Sequence, residues 1–509
     1  MIDTAKVYLA GAGPGDENLI TIKLFKILKE IDTVLYDNLA NSKLLDICKK
    51  NCEKIYVGKS AGSHTMPQDQ ITQLIIDYAK KGKTVLRLKG GDPLIFGRGS
   101  EEALELSKNN IPFEFIPGIT SGLAAATYSG IPITHRNMVT QTVLITGHEN
   151  PDKTVNQVDW QHLAKMKNTN LIIYMGVSSI TKISEKLIKY GKPKSTKIAI
   201  IQNATLPQQR SFITTLKELP DFITEKNITP PTIFIIGPTI ELRNQLNWFE
   251  HLPLFGKKIV ATRALDQSES LYYLLKENGA EVLPCKVIRT EIIKIDLKLY
   301  DFFNSNNYDW IFFTSENGVR YFFKNLEMQN LDSRILANSK IAVIGTSTAK
   351  KLKEFGIIAD FIPSKFTSQS LIEEFPLHHD IKDKTILRIK GDFKNDLLVD
   401  GLKELGANVV SLDVYKTLED KPDSYTLNLI ENFQADAFLF TSTSTVSNFF
   451  NLFEKETAKK ILNHSKVFSI GPTTAEFLYD LKIENVIVSD VHTIEGLVQT
   501  LVNYFQKQI

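Results

Sequence analysis

Asp309-Trp310-Ile311-Phe312-Phe313-Thr314-Ser315 recurs as Asp436-Ala437-Phe438-Leu439-Phe440-Thr441-Ser442 (436 − 309 = 127). Outward from this pair the offset holds. Lys257-Lys258-Ile259-Val260 matches Lys384-Thr385-Ile386-Leu387, and Val287-Ile288-Arg289-Thr290 matches Val414-Tyr415-Lys416-Thr417. Asn278-Gly279-Ala280-Glu281-Val282 matches Leu405-Gly406-Ala407-Asn408-Val409. Ile344-Gly345-Thr346-Ser347-Thr348-Ala349 matches Ile470-Gly471-Pro472-Thr473-Thr474-Ala475 one position short of that spacing. Solenoid units run to ~20–50 residues. A period this long means two similar α/β lobes with a cleft between them. Residues 287–290 and 412–417 read as paired hinge strands. Lobe one is then 257–286 plus 418–509, and lobe two is 291–411. Residues 1–256 lack the unit and carry other motifs.

The chain has 509 residues, 43% hydrophobic and 23% charged, with a net charge of +2. That is ordinary for a globular protein of several domains. The near-neutral charge implies no bulk attraction to nucleic acid, so an anionic ligand must be met by local Arg and Lys. Three cysteines form no disulfide framework and point to a reducing compartment. Cys48-x3-Cys52 has no second Cys or His pair at matching spacing, so no metal site is expected. The N-terminus runs directly into a strand, and no apolar run approaches the ~20 residues of a membrane helix. A cytoplasmic protein, not a membrane protein, is expected.

In the first half, short apolar runs alternate with helix-patterned segments. Residues 6–10, 32–36, 84–88 and 113–116 read as strands, with helical stretches at 19–28 and 70–80. A second block continues with strands at 142–146, 170–175, 197–202 and 232–237. The alternation predicts two α/β subdomains, about 1–116 and 117–245, with largely parallel sheets. Residues 246–256, with Trp248, Pro253 and Gly256, break the pattern and read as a linker.

Three glycine-rich turns follow strands in this half. Gly11-Ala12-Gly13-Pro14-Gly15-Asp16 invites a dinucleotide reading, with Asp37 ending the next strand. Its details oppose that reading. Asp16 stands where Gly or Ala is needed for helix–strand packing, Pro14 removes a backbone donor, and an acid would repel phosphate. The loop suits an adenosine ligand with a positive centre and no phosphate, as in S-adenosylmethionine. Lys89-Gly90-Gly91-Asp92-Pro93 and Pro117-Gly118-Ile119-Thr120-Ser121 are further turns of the same kind, at the sheet edge where open α/β folds bind ligands.

At these residues the first 245 positions resemble the uroporphyrinogen-III C-methyltransferases of the tetrapyrrole methylase family. The likeness runs through Val7-Tyr8-Leu9-Ala10-Gly11-Ala12-Gly13-Pro14-Gly15-Asp16, Tyr56-Val57-Gly58-Lys59 and Arg87-Leu88-Lys89-Gly90-Gly91-Asp92-Pro93. It continues through Phe96-Gly97-Arg98-Gly99, Gly130-Ile131-Pro132-Ile133-Thr134-His135-Arg136 and Tyr174-Met175-Gly176. The resemblance implies two methyl transfers from S-adenosylmethionine to uroporphyrinogen-III, giving precorrin-2, and a homodimer. It implies cofactor contacts at Pro14, Gly90, Gly91, Asp92, Ile95, Thr120, Ser121, Met175 and Ala204. Ser121 and Ala204 depart from the common pattern, yet both stay small where adenosine would approach backbone. The implied acid–base pair is Asp37 and Lys59, with a carboxylate anchor the other reading of Lys59. Arg98, Arg136, His135 and Lys89 are candidates for the substrate's eight carboxylates; Arg87 reads as structural.

Residues 257–509 resemble uroporphyrinogen-III synthase. The likeness rests on Phe312-Phe313-Thr314-Ser315-Glu316-Asn317-Gly318-Val319, Val414-Tyr415-Lys416-Thr417, Leu439-Phe440-Thr441-Ser442, Ile470-Gly471-Pro472-Thr473-Thr474-Ala475 and the duplicated architecture. It implies cyclisation of hydroxymethylbilane with inversion of the last ring, which is a task of orientation. Thr441, Ser442, Ser444, Thr473 and Thr474 are candidates to donate to substrate carboxylates, Tyr415 to assist loss of hydroxide, and Arg263, Arg388 and Lys390 to steer the substrate. Helix capping is the competing role for each hydroxyl, Thr314, Ser315 and Thr346 among them. The expectation is a tetrapyrrole methylase fold followed by a two-lobed α/β synthase fold, working in succession. Two alternatives stay open: a methylase of a later corrin intermediate, and a non-catalytic two-lobed ligand-binding module at the C-terminal end.

Overall fold

A computed structural model describes residues 6–58, 66–148, 158–262, 269–392 and 397–507. The first sheet holds β1 (Val7–Gly11), β2 (Thr33–Tyr36), β3 (Glu53–Tyr56), β4 (Val85–Lys89) and β5 (Phe113–Ile116). Their spatial order is β3-β2-β4-β1-β5, and all pairings are parallel. Parallel pairing needs crossovers, and helices such as Ile22–Glu30 and Gln68–Lys80 supply them. The central strand β4 is buried along its whole length, because helices cover both faces of the sheet.

The second sheet holds β6 (Gln141–Thr146), β7 (Thr169–Tyr174), β8 (Lys197–Gln202), β9 (Arg210–Thr215) and β10 (Thr232–Ile236), in the order β6-β7-β10-β8-β9. Only β6 and β7 are parallel; β10 inserts antiparallel between β7 and β8, and β9 folds back on β8. The expectation of largely parallel sheets fails here. The loop between β8 and β9 is too short for a crossover and permits only an antiparallel return.

The remaining strands are β11 (Lys258–Ala261), β12 (Glu281–Pro284), β13 (Ile288–Ile292), β14 (Trp310–Phe313) and β15 (Lys340–Val343). They are followed by β16 (Thr385–Gly391), β17 (Asn408–Glu419), β18 (Ala437–Phe440), β19 (Lys466–Ser469) and β20 (Val486–Val488). One sheet runs β12-β11-β18-β19-β20 and the other β13-β17-β16-β14-β15. Each therefore joins the opening strands of one repeat copy to the closing strands of the other. β13 and β17 pair antiparallel with Thr290 opposite Thr417. These two are equivalent in the repeat (417 − 290 = 127), so a local two-fold passes between them. The copies differ at one point. β17 is a continuous strand, whereas its counterpart is split into β12 and β13 after Pro284, whose ring removes a ladder donor.

By packing, the chain forms two compact units. One comprises Met1–Ile259, Ser270–Val282 and Val498–Ile509; the other comprises Val260–Glu269 and Leu283–Leu497. The first unit therefore extends past the expected linker. Phe249 and Leu254 in that stretch are buried, and Gly279 approaches it so closely that a Cβ there would lie 2.9 Å from Leu252 and 3.0 Å from Phe255.

Candidate active sites

β4, β1 and β5 are adjacent and parallel, so their three glycine turns meet at one edge of the sheet. Contact is backbone to backbone. A Cβ on Gly118 would lie 2.2 Å from the Gly91 carbonyl oxygen, and one on Gly11 would lie 2.3 Å from the same atom. The turns also use up each other's donors. Ala12 N–H donates to Lys89 O (2.7 Å), Gly13 N–H to Gly91 O (3.2 Å), and Gly91 N–H to Gly13 O (2.7 Å). Asp92 accepts from Leu94 N–H (2.8 Å) and Gly118 N–H (3.1 Å), and Asp16 N–H donates to Thr205 Oγ1 (3.1 Å). A pyrophosphate cradle needs such N–H groups free. Burial moreover raises the Asp16 pKa above the usual carboxylate range, so further negative charge there would be costly. The edge fits a neutral adenosine and a cationic sulfonium, not a dinucleotide.

The other expected cofactor residues gather round this edge. Tyr174, at the end of β7, bonds through its hydroxyl to Thr120 Oγ1 (3.0 Å) and Gly122 N–H (3.1 Å), which fastens the second sheet to the turn after β5. Met175 follows it, half exposed at φ 53°, and Phe96 (φ 55°), beside Ile95, lies 5.0 Å from the Tyr174 ring. Ala204 sits between Asn203 (φ 48°) and Thr205 (φ 71°). Left-handed backbone at bulky or β-branched residues is costly and persists where the surroundings enforce it, commonly at functional sites. Pro14 and Ser121 are half-buried and Thr120 is buried.

Asp37 follows β2, next to β4 in the same edge. Its carboxylate accepts from Leu39 N–H (3.1 Å) and from Arg87 Nη2 (3.0 Å). Arg87 also reaches Glu102 (3.3 Å), which is fully buried and accepts from Lys89 Nζ (2.8 Å). Lys89 is therefore turned into the fold and is not presented to a substrate, contrary to expectation. Burial lowers its pKa, with the Arg87 charge adding to that effect. Arg87, read as structural, is instead the direct partner of Asp37. The available signal was two cations in a strand of otherwise apolar residues. Lys59 and Arg263 lie outside the described residues. Arg98 stands exposed at φ 57°, paired with Glu101 (2.6 Å). Arg136 is exposed and His135 half-buried on the loop leading to β6.

In the C-terminal half, Tyr415 lies buried in β17. Its hydroxyl is 3.2 Å from Ser315 Oγ, and its ring stacks on Tyr321 at 5.6 Å and 23°. Tyr321 hydroxyl donates to Thr290 O (2.8 Å), so the pair is moored on the opposite hinge strand. Burial raises the Tyr415 pKa above that of an ordinary phenol, against the opposing pull of Ser315 and Arg388. Arg388 and Lys390 are both buried. Ser315 also caps the helix Glu316–Met328 by accepting from Gly318 N–H (3.0 Å). An accepting oxygen keeps its own proton, so capping and contact with Tyr415 coexist.

Ser442 caps the helix Thr443–Leu452 in the same way, accepting from Thr445 N–H (3.3 Å), and lies 2.9 Å from Ser444. Thr441 is half-buried beside it. Thr473 is exposed in the first turn of the helix Pro472–Asp480, whereas Thr474 is buried in the fold. The repeat is thus broken chemically at the hinge. The position equivalent to Tyr415 is Ile288 (415 − 127 = 288), which is buried in a hydrophobic cluster.

Comparison with known proteins matches both halves. The family profile "Tetrapyrrole (Corrin/Porphyrin) Methylases" covers residues 6–220, and "Uroporphyrinogen-III synthase HemD" covers 269–499. The chain is 34% identical over 501 residues to the porphyrin biosynthesis protein HemD of Ruminiclostridium josui, covering 97% of each. It is 38% identical over 356 residues to the uroporphyrinogen-III C-methyltransferase of Bacillus subtilis, covering 70% of this chain and 73% of that one. A solved uroporphyrin-III C-methyltransferase of Thermus thermophilus, complexed with S-adenyl homocysteine, is 34% identical with a TM-score of 0.40, covering 47% of this chain and 100% of that one.

Proposed function

The chain belongs to the tetrapyrrole methylase and uroporphyrinogen-III synthase families, joined in one polypeptide, and we propose from that premise how its residues share two consecutive reactions. It is a bifunctional enzyme of tetrapyrrole biosynthesis. The synthase module cyclises hydroxymethylbilane to uroporphyrinogen-III. The methylase module methylates that product twice, to precorrin-2, on the siroheme/cobalamin branch. The methylase spans about 1–245 and the synthase about 257–509. The chain works in the cytoplasm as a homodimer through the methylase module, without nucleic acid. Among the described residues no helix is long and apolar enough to cross a membrane.

When bound, S-adenosylmethionine supplies an electrophilic methyl group on a sulfonium. Pro14, Gly90, Gly91, Asp92, Ile95, Thr120, Ser121, Met175 and Ala204 hold it at the glycine edge. Asp37 takes up the proton that the macrocycle loses, directly or through water, and Lys59 partners it. Arg87 keeps the Asp37 carboxylate oriented. Arg98, His135 and Arg136 anchor substrate carboxylates by charge-assisted bonds. In the synthase, Tyr415 gives its proton to the departing hydroxide, oriented by Ser315. Thr441, Ser442 and Thr473 hold the acidic side chains of the substrate, with Thr473 the most open to it, whereas Thr474, turned into the fold, does not reach it.

The observation that carries the methylase assignment is the glycine edge whose backbone donors are spent internally. The test is methyl counting with uroporphyrinogen-III and labelled S-adenosylmethionine. Two labelled methyls per macrocycle are expected. No transfer, with transfer to a later corrin intermediate instead, would overturn the assignment.

A further inference from the structure

The bend Gly13–Glu17 is held from beyond the methylase family's own sequence. Glu17 is ion-paired with Lys276, and each side chain is less than a third exposed. Lys276 lies on the helix Glu269–Glu277, which opens the synthase module, and its stretch 270–282 belongs to the same compact unit as residues 1–259. Glu17 also accepts from Asn41 Nδ2 (3.3 Å), and the same nitrogen donates to the Gly15 carbonyl in the bend (2.7 Å). Burial works against the Glu17 charge, yet Lys276, together with a backbone hydrogen bond and the Lys43 charge, brings the Glu17 pKa below the usual value.

The neighbouring Asp16 is reached by a second route. Its carboxylate accepts from the Tyr128 hydroxyl (3.3 Å), and the Tyr128 ring packs against Trp248 (5.1 Å) and Phe249 (4.8 Å) of the linker. Asp16 N–H donates to Thr205, Thr205 N–H to Gln209 (2.9 Å), and Gln209 to Glu250 in the linker (2.9 Å). The linker in turn meets the turn after the Lys276 helix, where Leu254 N–H donates to Asn278 O (2.8 Å). Asp16 and Glu17 therefore both end on one support, formed by the linker and the first synthase helix.

We propose that Lys276 is a positioning residue of the methylase cofactor site, so that the synthase module's first helix completes the S-adenosylmethionine pocket from outside the methylase. Lys276 touches no substrate. It acts through Glu17 and Asn41 on the carbonyl of Gly15, next to Pro14. The proposal rests on the placement of the cofactor at this bend.

The test is calorimetric titration of S-adenosylhomocysteine into the full chain. Lys276→Glu, which also sets a like charge against Glu17, should weaken binding by about tenfold. The KM for S-adenosylmethionine should rise by a similar factor with little change in kcat at saturation. Lys276→Arg should bind within about twofold of the unchanged chain, and the swap Glu17→Lys/Lys276→Glu should recover most of the loss. Cyclisation of hydroxymethylbilane should stay unchanged in all three, showing that the second module remains folded. Unchanged affinity in Lys276→Glu, or a swap no better than Lys276→Glu, would overturn the proposal. If the unchanged chain itself ignored S-adenosylhomocysteine, the placement of the cofactor would be wrong and this proposal would fall with it.

Discussion

The two modules bring different atoms to their ligands. The methylase edge is made of backbone and small residues, with Gly11, Gly91 and Gly118 in direct contact and their donors already spent. The synthase lobes present side-chain hydroxyls at helix starts, where Ser315 and Ser442 each cap a helix and keep a proton to offer. A backbone site has no slack, because any added atom must move a strand end. A hydroxyl site loses one bond when one side chain is removed. The modules should therefore answer substitution on different scales.

The largest effect is expected at Gly118→Ala. The new methyl would lie 2.2 Å from a carbonyl oxygen, and relief requires backbone movement. Methyl transfer should fall by at least ~100-fold, with cyclisation intact in the same preparation. A mild effect would erase the contrast. Next comes Asp37→Asn, which keeps shape but removes the base. A drop of about 100-fold in the kcat of methyl transfer, with little change in KM, is expected. A rise confined to KM would make Asp37 a binding group instead.

Tyr415→Phe should lower synthase kcat by only about tenfold, because a phenol is a weak acid and orientation does most of the work. The pH profile sharpens this. Burial disfavours the phenolate, so the Tyr415 pKa lies above its ordinary value and the proton is retained as pH rises. Synthase activity should show no alkaline loss from this group between about pH 7 and about pH 9.5. A loss present in the unchanged chain and absent in Tyr415→Phe would contradict the burial argument. The smallest effect is expected for Ser442→Ala, with KM for hydroxymethylbilane up about threefold and about 1 kcal/mol of stability lost with the cap. Denaturant unfolding and initial rates would separate the two.

The repeat was plain in the sequence because duplication conserves apolar runs, hydroxyl pairs and spacing together. The pairing of Thr290 with its own repeat equivalent follows the same period. The strands leading to the glycine turns were legible for the same reason, since β1, β2, β4 and β5 are apolar runs. β3 and β9 were not. Both are edge strands, and the sequence Glu53-Lys54-Ile55-Tyr56 is mostly exposed, with no continuous apolar run to mark it. The inward turn of Lys89 was hidden too, because its role depends on Glu102, thirteen residues away and visible only once the helix Gly99–Lys108 packs on β4. Residues 246–256 broke the pattern as a linker would, yet Phe249 and Leu254 are buried, a tertiary fact that local pattern does not carry. Tyr415 was singled out in the hinge, but its partners Ser315 and Tyr321 come from a helix about a hundred residues earlier in the chain.

The most direct measurement supplies the purified chain with hydroxymethylbilane and S-adenosylmethionine in one vessel and identifies the product's isomer and methyl count. A type III macrocycle carrying two added methyls is predicted, formed without any other enzyme. Accumulation of the unmethylated type I isomer would contradict the account, since it would mean that the second module does not direct ring closure.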